Sequence, residues 1–401
     1  MVVLSSERKS DQPWAKFHGK RVLLLQGPMG PFFWRVAEQL RQNGAHVCKV
    51  NFNIADSLYF QPAAETFLFR GTLEQWPGYL ESLIARRSIS TLMLFGDCRT
   101  YHRTAVNCAS ELGLDVYVFE EGYLRPNFIT IERYGVNGNS RLPRDPEFYR
   151  NLSPQRAEAA PPASSSYAWG VLHSIVYACI LTLFHWVTPR YRHHRDLNCV
   201  RQGLLWVRGG VRRMLHSTRD GKAADWLENG TKPPFFFVPL QVHCDSQISH
   251  SKFQDISEFI ESVVRSFAQH APASTYLVLK EHPLDRTYRD YSTLLKELGV
   301  KYGVSARLVY VDIVNLPKVL RNARGTIVIN STVGLSSLIH LTPTICLGRA
   351  IYDIEGLTHR GSLDDFWKQP GAVDAALLER FVYWVRKETQ LTGSIWTDFN
   401  H

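Results

Sequence analysis

Residues 21–43 read RVLLLQGPMGPFFWRVAEQLRQN: a short apolar run, a Gly/Pro turn, then a stretch with helical spacing of its apolar residues. Arg21 to Leu25 is strand-like and Phe32 to Asn43 helix-like, so the segment reads as one strand–turn–helix unit. Further strand-like runs follow at His46 to Val50, Ser90 to Phe95 and Asp115 to Phe119, separated by stretches long enough for crossover helices. The spacing predicts a parallel sheet covered by helices.

The same pattern restarts at Phe235 to Pro239 and continues through Thr275 to Lys280, Arg307 to Asp312, Thr326 to Asn330 and Thr344 to Leu347. An α/β chain with two Rossmann-like, doubly wound halves is expected, spanning 1–143 and 233–401, with the last helix returning to the first half. Between them, 144–232 differs in composition and reads as a helical insertion. At 401 residues and 45% hydrophobic content the chain can bury two cores.

A formal net charge of +9 favours an anionic partner: nucleic acid, a bilayer or phosphorylated small molecules. The seven cysteines are scattered without a CxxC pair, which speaks against a disulfide framework or a zinc site and fits a reducing cytoplasm. Met1 to Lys20 has no apolar core of the kind a secretion signal needs, so a cytoplasmic location is expected.

Within the insertion, Tyr167 to Val187 is free of charge and as a helix would reach about 30 Å. Gly170, His173, Ser174, Thr182 and His185 interrupt it, and a crossing would separate the halves, which are expected to share a site. Next come Arg190, Arg192, Arg195, Arg201, Arg208, Arg212 and Arg213, interleaved with Leu204, Leu205, Trp206, Val207, Met214 and Leu215. Docking in the plane of an anionic bilayer is the preferred reading, a buried helical hairpin with a solvated arginine face the other. No nucleic-acid module accompanies the arginines, so nucleic acid is not an expected partner.

Five motifs carry candidate chemistry. The turn Gln26-Gly27-Pro28-Met29-Gly30-Pro31 lies at the carboxyl edge of the first expected sheet, where open α/β folds bind ligands. It departs from GxGxxG and lacks a Walker lysine, so Gln26, Gly27, Pro28 and Gly30 either shape the turn or contact acceptor or donor. Glu120-Glu121-Gly122 follows a strand; neighbouring carboxylates and partial burial raise a carboxyl pKa, which suits taking a proton from an acceptor hydroxyl. Lys280-Glu281-His282-Pro283 closes another strand, with Pro283 fixing the chain after the imidazole. Either His282 is a turn histidine, or it donates to a departing phosphate while Lys280 adds charge. Asn330-Ser331-Thr332 opens a helix after a strand, and phosphate binding is preferred over plain capping. No Asp-x-Asp occurs, so neither a metal nor another cofactor is expected. Finally, Gln241 to Gln247 follows the first strand of the second half, where Asp245 either caps the next helix or acts as a nucleophile.

The run Gln26 to Phe33, the run Glu120 to Pro126, and Gln241, Asp245 and His282-Pro283 together resemble the KpsS-type capsule polysaccharide proteins, over most of both halves. The resemblance implies a GT-B-like fold, two Rossmann-like domains facing a cleft. It implies a retaining β-Kdo glycosyltransferase that uses CMP-Kdo to begin the poly-Kdo linker on a (lyso)phosphatidylglycerol acceptor, in capsular polysaccharide biosynthesis and export. The Glu-Glu-Gly and His-Pro pair is also similar to that of bacterial sialyltransferases, whose donors are CMP-linked sugar acids. Carried onto this sequence, His282 meets the CMP phosphate with Ser331 and Thr332, Glu120 or Glu121 handles the acceptor proton, and Asp245 is the nucleophile. Arg125 and Gln241 fall in the matching motifs as possible acceptor or donor contacts. The implied partners are CMP-Kdo, a phosphatidylglycerol-type lipid, the anionic cytoplasmic face of the inner membrane, where the protein would be peripheral, and other capsule proteins. Two alternatives stand beside this: a non-catalytic export or scaffold component, and a chain-extending Kdo transferase.

Overall fold

The computed structural model describes residues 13–60, 65–153, 167–193, 198–230 and 233–396. Arg195, and Met1 to Gln12 of the polar N-terminal stretch, lie outside them. The chain divides into two compact units. The first is Met1–Arg141 with Ala159–Cys199 and Thr389–His401; the second is Leu142–Glu158 with Val200–Glu388.

The first unit's sheet holds β1 (Arg21–Leu24), β2 (His46–Asn51), β3 (Thr66–Leu68), β4 (Thr91–Phe95), β5 (Asp115–Glu121), β6 (Phe128–Arg133) and, from the chain's end, β12 (Gln390–Thr392). Their order is β12-β6-β5-β4-β1-β2-β3, parallel from β5 to β3. Helices cover a parallel sheet on both faces, so its central strands are largely apolar, and Val22 to Leu25 and Leu92 to Leu94 are fully buried. Helix Phe32–Gln42 packs Phe32 and Phe33 edge-on against Phe119, with centroids 5.4 and 5.6 Å apart.

β5 runs two residues past the expected Phe119 and turns into the antiparallel strand β6, pairing Glu120 with Thr130 and Glu121 with Ile129. The two glutamates are therefore hairpin residues rather than loop residues beyond a strand end. The turn needs Gly122, because a Cβ there would stand 2.3 Å from the Phe128 carbonyl oxygen.

The second unit's sheet holds β7 (Phe235–Pro239), β8 (Tyr276–Lys280), β9 (Leu308–Val311), β10 (Gly325–Val328) and β11 (Thr344–Cys346), all parallel, in the order β11-β10-β7-β8-β9. Phe236 and Val238 enter the core on one face, Phe235 and Phe237 the core on the other, which is why this run is continuously apolar. Counted from its own first strand, each sheet has the order 3-2-1-4-5. The order reverses between β1 and β4 in one unit and between β7 and β10 in the other, and ligands of open α/β sheets bind at the carboxyl ends of such strands.

The stretch 144–232 is divided between the units. Helix Tyr167–Leu183 belongs to the first, where the buried Tyr177 hydroxyl donates to Asp56 Oδ1 (2.7 Å) and accepts from Asn53 Nδ2 (2.8 Å). Helix Cys199–Asn229 lies almost wholly in the second, burying Leu227 and Asp220. No helix among the described residues is long and apolar enough to cross a membrane. The last helix, Ala375–Thr389, packs Phe381 on Tyr149 and Trp384 on Phe148 in the second unit, at 5.3 and 5.0 Å. What returns to the first unit is β12, antiparallel to β6 with Leu391 opposite Ile129.

Candidate functional site

In the second unit, the loops after β7 and β10 meet at the reversal of strand order. Gln241 Nε2 donates to Asp245 Oδ2 at 3.0 Å and to Asn330 Oδ1 at 2.9 Å, and Asn330 Nδ2 donates to the Gln247 carbonyl at 2.8 Å. Asp245 is half-buried, and its other oxygen accepts from Gln247 N at 2.9 Å, capping the short 3-10 turn Ser246–His250. Capping and a fixed carboxylate are therefore features of the same side chain, and each of its oxygens is oriented by a hydrogen bond.

The segment after β8 is held from beneath. Glu281 N donates to the Val311 carbonyl (2.8 Å), and His282 Nδ1 accepts from Leu284 N (3.2 Å). With Nδ1 accepting, the neutral ring carries its proton on Nε2, which makes it a donor. Lys280 Nζ donates to the Glu281 carbonyl at 3.0 Å, and burial lowers its pKa. Glu281 is buried, and desolvation outweighs the Arg212 guanidinium to push its carboxyl up to about 7. Pro283 is exposed beside these groups.

Ser331 caps helix Thr332–Ile339, its side chain accepting from Val333 N at 3.2 Å. The Tyr352 hydroxyl donates to the Ser331 carbonyl, and a Cβ on Gly334 would meet that hydroxyl at 2.2 Å. The turn is thus pinned against a buried tyrosine, with Thr332 half-exposed at the helix start.

One pair in this unit was not singled out in the sequence, although His243 lies within the run Gln241 to Gln247 and Asp285 two residues after Pro283. His243 Nδ1 donates to Asp285 Oδ1 at 2.6 Å, and Asp285 Oδ2 accepts from His243 N at 2.8 Å. Asp285 is buried, and desolvation raises its pKa. The ring's Nε2 is left as an acceptor in the neutral form, the opposite polarity to His282. The one readable sign was that each residue lies in a loop just after a strand, β7 for His243 and β8 for Asp285.

In the first unit, Gln26 is buried and turned inward. Its Nε2 lies 3.1 Å from both Asp56 oxygens and from the Tyr177 hydroxyl, and 2.8 Å from the Tyr191 hydroxyl. Gly27 offers its carbonyl to Arg99 Nη1 at 3.5 Å, Pro28 is partly exposed, and Gly30 has φ of +146°, open to glycine. Glu121 is exposed in an ion pair with Arg125 (2.7 Å). Glu120 is half-buried, with Oε1 accepting from Glu121 N at 3.1 Å. A Cβ on Gly96 would lie 3.4 Å from Glu120 Oε2 and 3.5 Å from Arg99 Nε, so the carboxylate and the guanidinium flank the turn after β4. His102 fixes that turn through the carbonyls of Phe95 (3.0 Å) and Gly96 (2.8 Å), and burial drives its pKa down to about 3. Arg99 carried no motif in the sequence; its position after the strand Thr91–Phe95 was the readable sign.

A cavity of about 260 Å³, lined by Arg21, Arg41, His46, Glu65 and Arg87 among others, lies by the amino ends of β1 and β2. That is the edge opposite the strand ends that carry the candidate chemistry, so the cavity is separate from the candidate site.

Known proteins resemble this chain end to end. The family described as capsule polysaccharide biosynthesis protein matches residues 90–396. The chain is 39% identical over 376 residues to the capsule polysaccharide export protein KpsS of Escherichia coli, covering 94% of this chain and 96% of that one. It is 37% identical over 385 residues to the capsule polysaccharide modification protein LipB of Neisseria meningitidis serogroup B, covering 94% and 92%. Among solved structures, the KpsC beta Kdo 2,7 transferase of Thermosulfurimonas dismutans aligns over 93% of this chain and 92% of that one, at 15% identity and a TM-score of 0.42. With a family match across most of its length and relatives this similar throughout, the chain belongs to the capsule polysaccharide biosynthesis protein family, as a KpsS-type member.

Proposed function

We propose that this capsule polysaccharide biosynthesis protein is a retaining β-Kdo transferase that moves Kdo from CMP-Kdo to a phosphatidylglycerol-type lipid at the cytoplasmic face of the inner membrane. The observation that carries the reading is the Gln241–Asp245–Asn330 cluster at the strand-order reversal of the second sheet, a carboxylate held by two hydrogen bonds where such folds bind ligands. In the first displacement the Asp245 carboxylate bonds to the anomeric carbon and the bond to the CMP phosphate oxygen breaks. His282 Nε2–H donates to that departing phosphate, assisted by Lys280, Pro283 fixing the chain, and by Asn330, Ser331 and Thr332 at the helix start. In the second displacement an acceptor hydroxyl replaces Asp245 at the same carbon, and its proton goes to a glutamate base.

Glu120 is the assignment for that base, because it is half-buried, where desolvation favours proton uptake, whereas Glu121 is exposed. Gln26, Gly27, Pro28 and Gly30 then act by shaping their turn, since Gln26 spends its side chain on Asp56 and two tyrosines. The test is incubation of the purified protein with CMP-Kdo and lysophosphatidylglycerol. A Kdo-lipid product is expected, with a loss of about 10³-fold or more for Asp245→Ala and about 10²-fold for His282→Ala. An absence of product beside an active control enzyme, or capsule formation undiminished in both variants at normal protein levels, would sink the reading in favour of a scaffold.

A further inference from the structure

Helix Cys199–Asn229 has two faces of opposite character. Inward, Gln202, Gly209, Arg212, Asp220 and Leu227 are buried. Outward, Val200, Leu204, Val207, Val211 and Met214 are 68%, 70%, 69%, 54% and 77% exposed. Their alternating spacing of four and three residues places all five in one stripe along four turns, directly opposite the buried positions. Single exposed apolar residues are ordinary on a protein surface; a continuous stripe is not.

The charge beside the stripe has one sign. Arg201 and Arg208 are exposed along one edge of it, Arg213 is exposed further round the helix, and the sequence from Cys199 to Arg219 contains no Asp or Glu. An apolar stripe edged by arginines with no acidic residue suits a surface that is apolar within and anionic at its rim. A second protein chain would need acidic groups placed to match, whereas anionic headgroups supply them at every position.

We propose that this stripe is the face by which the protein lies on an anionic lipid bilayer, Leu204, Val207 and Val211 entering the headgroup boundary and Arg201 and Arg208 pairing with phosphates. The inference deepens the lipid-acceptor reading by naming the surface, and it is tested without the transfer reaction, so either can fail alone. The full chain is sedimented with vesicles of phosphatidylcholine alone and of phosphatidylcholine and phosphatidylglycerol in equal parts. Binding is expected to the mixed vesicles only, reduced about tenfold both in Leu204→Asp/Val207→Asp and in Arg201→Glu/Arg208→Glu. The second variant leaves the apolar residues untouched and guards against a folding defect in the first, and unchanged thermal melting certifies each. Wild-type binding by both variants would overturn the proposal, as would equal binding to neutral vesicles. So would a dimer in sedimentation that Leu204→Asp/Val207→Asp dissociates while vesicle binding persists.

Discussion

His282 and His243, both in the second unit, illustrate how one hydrogen bond sets what an imidazole can do. His282 accepts at Nδ1 from a backbone N–H, whereas His243 donates from Nδ1 to a buried carboxylate. Asp285 accepts from both the ring and the backbone of His243, two charge-assisted bonds on one buried group. In Asp285→Asn only one side-chain oxygen remains to accept, and the amide nitrogen faces a donor. The variant is expected to lose about 1–3 kcal/mol of stability in urea unfolding. Product formation is expected to fall with it, because His243 sits two residues from Asp245 in the same loop. Stability equal to that of the wild type would show that the pair is not buried as described. Gln241, Asp245 and Asn330 were legible because loops at strand ends can be located from strand patterns. His243 with Asp285 was not, since its partners are 42 residues apart and no local spacing joins them.

At the scale of elements, the parallel strands were readable and the antiparallel ones were not. β1, β4, β7 and β8 are buried on both faces and leave unbroken apolar runs, while β6 alternates and β12 has three residues. The long helix Cys199–Asn229 shows a further limit, because its arginines read alike in the sequence. Arg208 and Arg213 are exposed, but Arg212 is buried and donates to the carbonyls of Arg286 (2.6 Å) and Arg289 (2.9 Å), 3.4 Å from Glu281. The helix therefore braces the segment that carries His282. Glu281 makes that brace pH-dependent. Its carboxyl pKa is raised from 4.5 to about 7 in the fold, so the native state holds a proton that the unfolded chain releases near 4.5. The stabilising contribution is complete below about 4.5 and is lost as pH rises through about 7. Each pKa unit corresponds to roughly 1.4 kcal/mol, so on the order of 3 kcal/mol is at stake. Calorimetry of Glu281→Gln should show a flatter melting curve against pH across this window; a slope identical to that of the wild type would refute it.

For the whole molecule, the sequence pattern announced two α/β halves but not how the chain's end is shared between them. Helix Ala375–Thr389 completes the second unit, and the very next residues form β12 of the first. Gln390 ties this strand to the Glu-Glu-Gly hairpin: its Oε1 accepts from Tyr123 N at 3.0 Å and its Nε2 donates to Thr130 Oγ1 at 3.0 Å. Leu391 and Ile395 are buried in the first unit's core. A chain ending at Thr389 therefore strips β6 of its edge partner and removes two apolar side chains worth roughly 1.5–3 kcal/mol each, while every core residue of the second sheet stays in place. Because each unit has its own core, the damage should be confined. Hydrogen exchange followed by mass spectrometry is expected to show faster exchange over 115–133, with 235–239 and 276–280 protected as in the full chain. Equal loss of protection in both sheets would mean that the two units unfold together, and that the C-terminal strand stabilises the molecule as a whole rather than the hairpin carrying Glu120.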